Sequence, residues 1–191
     1  MSAFAATAGF TAMSPSLRRA ELYDVPVLHA MAGRFLLNRL SPAAIERHGF
    51  LVSHLGTEGY RQWLDRAEYF LVLEEEQGLA AFVLAYSRDQ VDATDPLGAR
   101  LLARHSEPFV LIDQVCVLPE RSGKGFAGQL YQRVREASGG QAQIAVLVLE
   151  PYNGPSVRFH QRLGFSEQFT YTGEDGMLRG VFLRDAVAAA G

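Results

Sequence analysis

The period of the apolar positions changes several times along the chain, and each change marks an element. "SLRRAELYDVPVLHAMAGRFLL" opens with a short strand pattern and then turns helical, with Leu28, Met31 and Phe35 on one face at spacings of three and four. Asp24 is suited to cap that helix and Pro26 to its first turn. Residues 41–66 hold two further short helical segments interrupted by glycines. This is the least regular region, and the place to expect a wall of a substrate pocket. "YFLVLEEEQGLAAFVLAYS" is two apolar runs joined by an acidic turn, which predicts an antiparallel hairpin whose turn faces water. "RDQVDATDPLGARLLARHSE" is a polar connection with room for one short helix.

"FVLIDQVCVL" is the longest β-rich run, and it feeds straight into the glycine-rich turn "LPERSGKGFAGQLY". Beyond the turn, Phe126, Leu130, Val134 and Ala137 form a helical stripe that "SGG" ends. "IAVLVLE" predicts another strand, and "PYNGPSVRFHQRLGF" a short helix between Pro155 and its stop at Gly164. "SEQFTYTG" and "MLRGVFLRD" predict a closing antiparallel pair. The sum is one mixed α/β domain over residues 16–191, preceded by a flexible tail over residues 1–15.

A chain of 191 residues suffices for one such domain with a full core. The formal net charge of −3 gives no global attraction to nucleic acid or an anionic membrane, so any anion site has to be local. No window approaches the ~18 consecutive apolar residues of a membrane span. Cys116 is the only cysteine, which excludes an intrachain disulfide. "MSAFAATAGFTAMSPS" lacks the basic start and long apolar run of a signal peptide, and the expected location is the cytoplasm.

The glycine turn carries Lys124, the only lysine. Backbone N–H groups converging at a helix N-terminus suit phosphate, and glycines remove the side chains that would block its approach. Spacing has to choose the ligand. A nucleoside-triphosphate loop needs Lys and then Ser or Thr after the last glycine, but Gln129 and Leu130 follow Gly128. Gly123, Gly125 and Gly128 do match the dinucleotide pattern G-x-G-x-x-G, with the acidic Glu150 about 20 residues on. Against it, four residues separate the strand from Gly123, and too little chain follows Glu150 to complete a doubly wound sheet. A glycine turn that binds nothing is the third possibility.

Taken together, "VCVLPERSGKGFAGQLY", "IAVLVLE" and "NGPSVRFHQRLGF" resemble the acetyl-CoA core of the GNAT superfamily of N-acetyltransferases. The resemblance is specific over residues 110–165 and implies a mostly antiparallel, twisted central sheet with one splayed parallel pair and flanking helices. Two departures stand out. Ser122 occupies the family's Arg/Gln position, with Arg121 one place early, and His160 sits where tyrosine is usual. Asn153, Ser156, Phe159, Gly164 and Phe165 all match.

The resemblance implies acetyl-CoA as co-substrate, its pyrophosphate held by the amides of Ser122, Gly123, Lys124, Gly125, Phe126, Ala127 and Gly128, with Lys124 or Arg121 adding charge. Arg158 and Arg162, which share a helix face, are further cations, though a solvated face also explains them. The resemblance places the pantetheine against Val115, Cys116 and Val117, where a free amide would polarise the thioester carbonyl. Cys116 itself reads as a small buried hydrophobe rather than a nucleophile. Asn153 orients the cofactor or caps the second helix, and Ser156 belongs to the same segment. An amine acceptor attacks the thioester directly, with Asp113 as candidate base, Glu107 and His105 as weaker ones, and His160 as candidate acid toward the thiolate. His160→Phe is then expected to lower turnover far more than acetyl-CoA affinity. Ideal alternation sets Asp113 on one strand face with Val115 and Val117, a placement that a bulge would reverse. The rival reading is a non-catalytic acyl-CoA-binding module. The acceptor, a small molecule or a protein or peptide amine, carries no motif, and a homodimer is a family-level expectation.

Overall fold

The computed structural model describes residues 15–52 and 54–187, so nearly all of the expected N-terminal tail lies outside the described residues. Seven strands form one sheet: β1 (Ser16–Arg19), β2 (Tyr69–Glu75), β3 (Gly78–Ser87), β4 (Phe109–Val117), β5 (Ala142–Glu150), β6 (Ser166–Thr172) and β7 (Leu178–Arg184), in the order β1-β2-β3-β4-β5-β7-β6. Among the described residues six α-helices flank it: α1 (Val25–Gly33), α2 (Pro42–His48), α3 (Thr57–Arg66), α4 (Pro96–Arg104), α5 (Phe126–Ala137) and α6 (Gly154–Arg162). Every pairing between these seven strands is antiparallel except β4 with β5, which excludes the doubly wound sheet of the dinucleotide reading.

The strand residues alternate between two cores. Phe70, Phe82, Leu84, Phe109 and Ile144 pack under α1, α3 and α4, while Val83, Val110, Ala145, Leu147 and Phe182 pack under α5 and α6. Each large apolar side chain buried this way is worth about 1.5–3 kcal/mol. Local signals act where expected at several ends. The Asp95 carboxylate accepts from the Gly98 amide at 2.8 Å to start α4, and Gly139 and Gly140 close α5 at positive φ. No helix among the described residues is long and apolar enough to cross a membrane.

Three local expectations give way. Asp24 does not cap α1, because its buried carboxylate accepts from the Glu21 amide at 2.8 Å and pairs with Arg18 at 2.7 Å. Ala137 is exposed, and Tyr131 takes the buried place on α5. The acidic hairpin turn is not simply solvated, since the Glu75 side chain is only 16% exposed between Arg121 and Lys124.

The feature that positions a site is the seam between β4 and β5. The two pair only from Phe109–Ala142 to Ile112–Ala145 and then part. Each stays bonded on its outer side, β4 to β3 as far as Val117 and β5 to β7 as far as Glu150, so two inner strand edges face each other without partners. At the parting point β4 carries a bulge: Ile112 lies opposite Ala85 and Gln114 opposite Leu84, leaving Asp113 as the extra residue.

Candidate functional site

The parted strands open a cleft of ≈ 920 Å³, floored by residues 112–117 of β4 and 145–148 of β5 and roofed by the glycine loop, the first turns of α6 and residues 47–52. It gathers every sequence-selected residue except Lys124. Of the secondary candidates, Arg162 lines it, whereas Arg158, Glu107 and His105 do not.

The glycine loop enters α5 through Gly123 and Gly125, at φ 81° and 78°. That left-handed backbone disfavours any other residue. A Cβ added at Gly123, Gly125 or Gly128 would meet no protein atom within 4 Å. The space over the loop is therefore open at a helix N-terminus, and the amides of residues 123–128 make a cradle that fits a phosphate group, whereas the Ser122 amide expected among them is spent on the Pro119 carbonyl at 3.2 Å. Its cations are already engaged. Lys124 Nζ lies 2.7 Å from Glu75 Oε1 and Arg121 Nε lies 3.1 Å from Glu75 Oε2, while Arg121 also donates to the Gln77 side chain.

Asn153 is buried just before α6 and does not cap it. Its Nδ2 donates to the Phe50 carbonyl at 2.9 Å, tying the loop after α2 to the start of α6. Its Oδ1 has no partner among the described residues, and Gly49, at φ 74°, runs so close that a Cβ there would lie 2.6 Å from it. Cys116 is buried on the α1–α3 side, and burial pushes its thiol pKa up, which makes the thiol inert. Next to it, Gln114 Oε1 accepts from the buried Tyr60 hydroxyl at 2.8 Å.

Asp113 and His160 define the chemistry of the walls. The Asp113 side chain is open to water inside the cleft yet enclosed by protein, and that desolvation pushes its carboxyl up to about 6, against the pull of the Tyr86 hydroxyl. The Trp63 ring stacks on Tyr86 at 4.3 Å and backs this contact. The bulge reverses the ideal alternation: Val115 and Val117 pack toward α5 and α6, the face that Val110 and Ile112 share.

His160 is 2% exposed. Its Nδ1 lies 2.8 Å from the Ser156 carbonyl and its Nε2 lies 2.7 Å from the Tyr131 hydroxyl. A carbonyl only accepts, so Nδ1 carries the proton and Nε2 receives the one from Tyr131. Burial pushes the imidazole down to about 4, and the edges of Tyr131, Phe159 and Phe165 surround it at 5.2–5.5 Å. The acid role expected of His160 presumes a pKa near 6.5, and the ring here is neutral at working pH with both nitrogens occupied.

Sequence reasoning missed Tyr131 and Tyr86. For Tyr131 there was a signal, since two polar departures, His160 on one helix and a tyrosine in the apolar stripe of the other, invited pairing. Nothing marked Tyr86.

Over residues 32–165 the sequence matches the model of the acetyltransferase (GNAT) family. No curated protein sequence gives a significant match. Similar solved structures include the ribosomal-protein-S18-alanine N-acetyltransferase from Escherichia coli, at TM-score 0.61 and 14% identity over 93% of this chain and 97% of that one. Arabidopsis thaliana Naa50 in complex with the bisubstrate analogue CoA-Ac-MVNAL aligns at TM-score 0.62 and 13% identity, over 91% and 99% of the two chains. Drosophila melanogaster polyamine N-acetyltransferase aligns at 0.61 and 14%, over 90% and 100%. The parted parallel pair, the glycine loop at a helix N-terminus and a family match across most of the chain agree, and the protein belongs to the GNAT acetyltransferase family.

Proposed function

We propose that the protein is an acetyl-CoA-dependent N-acetyltransferase that moves the acetyl group to a primary amine by direct attack on the thioester. The observation that carries this reading is the parting of β4 and β5 beyond Ile112 and Ala145, which faces two unpaired strand edges into one cleft beside the glycine loop. The pantetheine amides would pair with those edges, and the pyrophosphate with the amides of residues 123–128 at the start of α5. The solved structures named for S18-alanine and polyamine acetylation support an amine acceptor. We also keep residues 16–191 as one domain working in the cytoplasm, a reading supported by a sheet covered on both faces and a single buried cysteine.

The bound thioester supplies the activated acyl carbon. A free amide of Val115 or Val117 takes the negative charge that develops on its oxygen, since the strand register turns the Cys116 amide toward Phe82 of β3. Asp113 receives the amine proton as the C–N bond forms and the C–S bond breaks, and a carboxyl poised near 6 suits that task at neutral pH. The leaving thiolate, with an acidity like that of a free thiol near 8.5, takes its proton from water in the open cleft. His160 acts as a positioning residue, holding Tyr131 and with it the packing of α5 against α6.

Calorimetric titration with acetyl-CoA, with NAD as control, followed by thiol release in the presence of amines, tests the reading. Micromolar acetyl-CoA binding and amine-dependent thiol release are expected. Binding of NAD alone, or of neither, overturns it, and acetyl-CoA binding without release for any amine points to the non-catalytic module.

A further inference from the structure

A second cavity, of ≈ 290 Å³, adjoins the cleft and shares Ile112, Asp113 and Val146 with it. Those residues surround the point where β4 and β5 stop pairing, so an occupant of this cavity meets whatever ends at the bulge. The outer wall is the end of β3, at Tyr86, and the connection that carries α4. That connection is fixed: a Cβ at Gly98 would lie 1.9 Å from the Asp92 carbonyl oxygen, so α4 docks directly on the backbone before it.

The residues that line it are apolar apart from Tyr86, Asp92, Asp95 and Asp113; Asp92 and Asp95 are solvent-exposed and stand at its rim, and no Arg or Lys contributes to it. Asp92 Oδ1 is taken by the Thr94 amide and hydroxyl and Asp95 Oδ2 by the Gly98 amide, which leaves the second oxygen of each. None of the three is ion-paired among the described residues. Arg66 acts on Asp92 and Tyr86 through space, but its guanidinium lies over the Trp63 ring, 4.7 Å from the centroid, outside the cavity wall.

We propose that this cavity is the acceptor subsite and that it takes a small aliphatic amine bearing a second cationic group, rather than the N-terminus of a polypeptide. The inference rests on the N-acetyltransferase reading. The volume is at the lower end of the roughly 300–1,000 Å³ typical of small-molecule sites. Methylenes fit the apolar wall, and the distal ammonium reaches the exposed rim at Asp92 and Asp95, neither of which is ion-paired among the described residues. The proximal amine reacts neutral: its nitrogen bonds the acetyl carbon, the C–S bond breaks, the thiolate leaves, and the amine proton passes to Asp113.

The test measures thiol release from acetyl-CoA with tetramethylenediamine, butylamine and an alanine-led peptide, in the wild type and in an Asp92→Asn, Asp95→Asn double variant. Asparagine keeps the turn and cap bonds while removing the charge. The diamine should exceed the peptide in kcat/KM by about tenfold or more. The double variant should lose roughly that factor for the diamine, change less than about threefold for butylamine, and bind acetyl-CoA as before. A peptide turned over better than the diamine, or a double variant that keeps the diamine rate or loses both amines alike, overturns the proposal while leaving the acetyltransferase reading intact. Failure of the wild type to bind acetyl-CoA overturns both.

Discussion

Asp113 on β4 and His160 on α6 face one cleft from opposite walls, His160 sealed in protein and Asp113 open to the cleft. Desolvation by the nearby protein favours the neutral form of each, but because one group is an acid and the other a base, it moves their pKa values in opposite directions, up to about 6 and down to about 4. Their partners then separate the roles. Asp113 has only the Tyr86 hydroxyl to temper it and stays open to the cleft, whereas His160 spends Nδ1 on Ser156 and Nε2 on Tyr131. The same desolvation thus makes a poised base on one wall and an inert prop on the other. A titratable residue in a cleft is read by its spare hydrogen-bonding capacity as much as by its pKa.

The largest expected effect comes from breaking the active wall. Asp113→Asn should lower kcat by about 10²–10⁴-fold, the usual contribution of a positioned base, while the acetyl-CoA Kd measured by calorimetry stays within about twofold. In the wild type, kcat/KM should rise with pH through an apparent pKa near 6, because the carboxyl must be ionised to take a proton. A profile with no inflection there, or an Asp113→Asn enzyme that keeps its rate, would remove Asp113 from the mechanism.

Breaking the inert wall should cost stability instead of rate. His160→Phe strands the buried Tyr131 hydroxyl and should lower unfolding free energy by about 1–3 kcal/mol. Adding Tyr131→Phe should recover part of that loss, as a double-mutant cycle on denaturant midpoints would reveal. Turnover per folded molecule should change less than about threefold; a fall of the size expected for Asp113→Asn would return His160 to the chemistry.

Acid titration separates the walls further. The folded imidazole titrates near 4 against about 6.5 unfolded, so its contribution is complete above 6.5 and is lost as pH falls toward 4, at up to about 1.4 kcal/mol per pH unit. Asp113 runs the other way, because its folded value lies above the unfolded value of about 3.9 and the folded chain binds more protons between about 4 and 6. Water in the cleft damps that term. His160→Phe should therefore flatten the acid limb of stability and Asp113→Asn should steepen it; equal slopes in all three proteins would show that the walls do not differ in this way.

What was legible in the sequence was local. The glycine loop, the Pro155 start and Gly164 stop of α6 and the hairpin β2–β3 each need only neighbouring residues to be recognised, and each is in place. The bulge at Asp113 was not legible, because apolar alternation cannot reveal one extra residue in a strand. Nor was the Tyr131–His160 bond, which joins residues 29 apart on two helices, or the Glu75–Lys124 pair, 49 apart, which turned an acidic turn expected to face water into a partner of the loop. Such pairings depend on how elements pack.

Glu75 extends the comparison to the mouth of the cleft, where a carboxylate meets cations instead of a desolvating wall. It engages both Lys124 and Arg121, the two cations nearest the loop amides in sequence. A pyrophosphate at those amides competes with Glu75 for the same charges, and Glu75 also repels it. Glu75→Gln removes the competitor and the repulsion while keeping the hairpin. Partly exposed ion pairs are worth only about 0.2–1 kcal/mol, so the acetyl-CoA Kd should fall by roughly two- to fivefold at low salt, with the difference shrinking as salt screens it. A weaker Kd in Glu75→Gln would mean that the pair's dominant role is to hold the loop in shape, and that the cations meet the phosphates only while Glu75 steadies them.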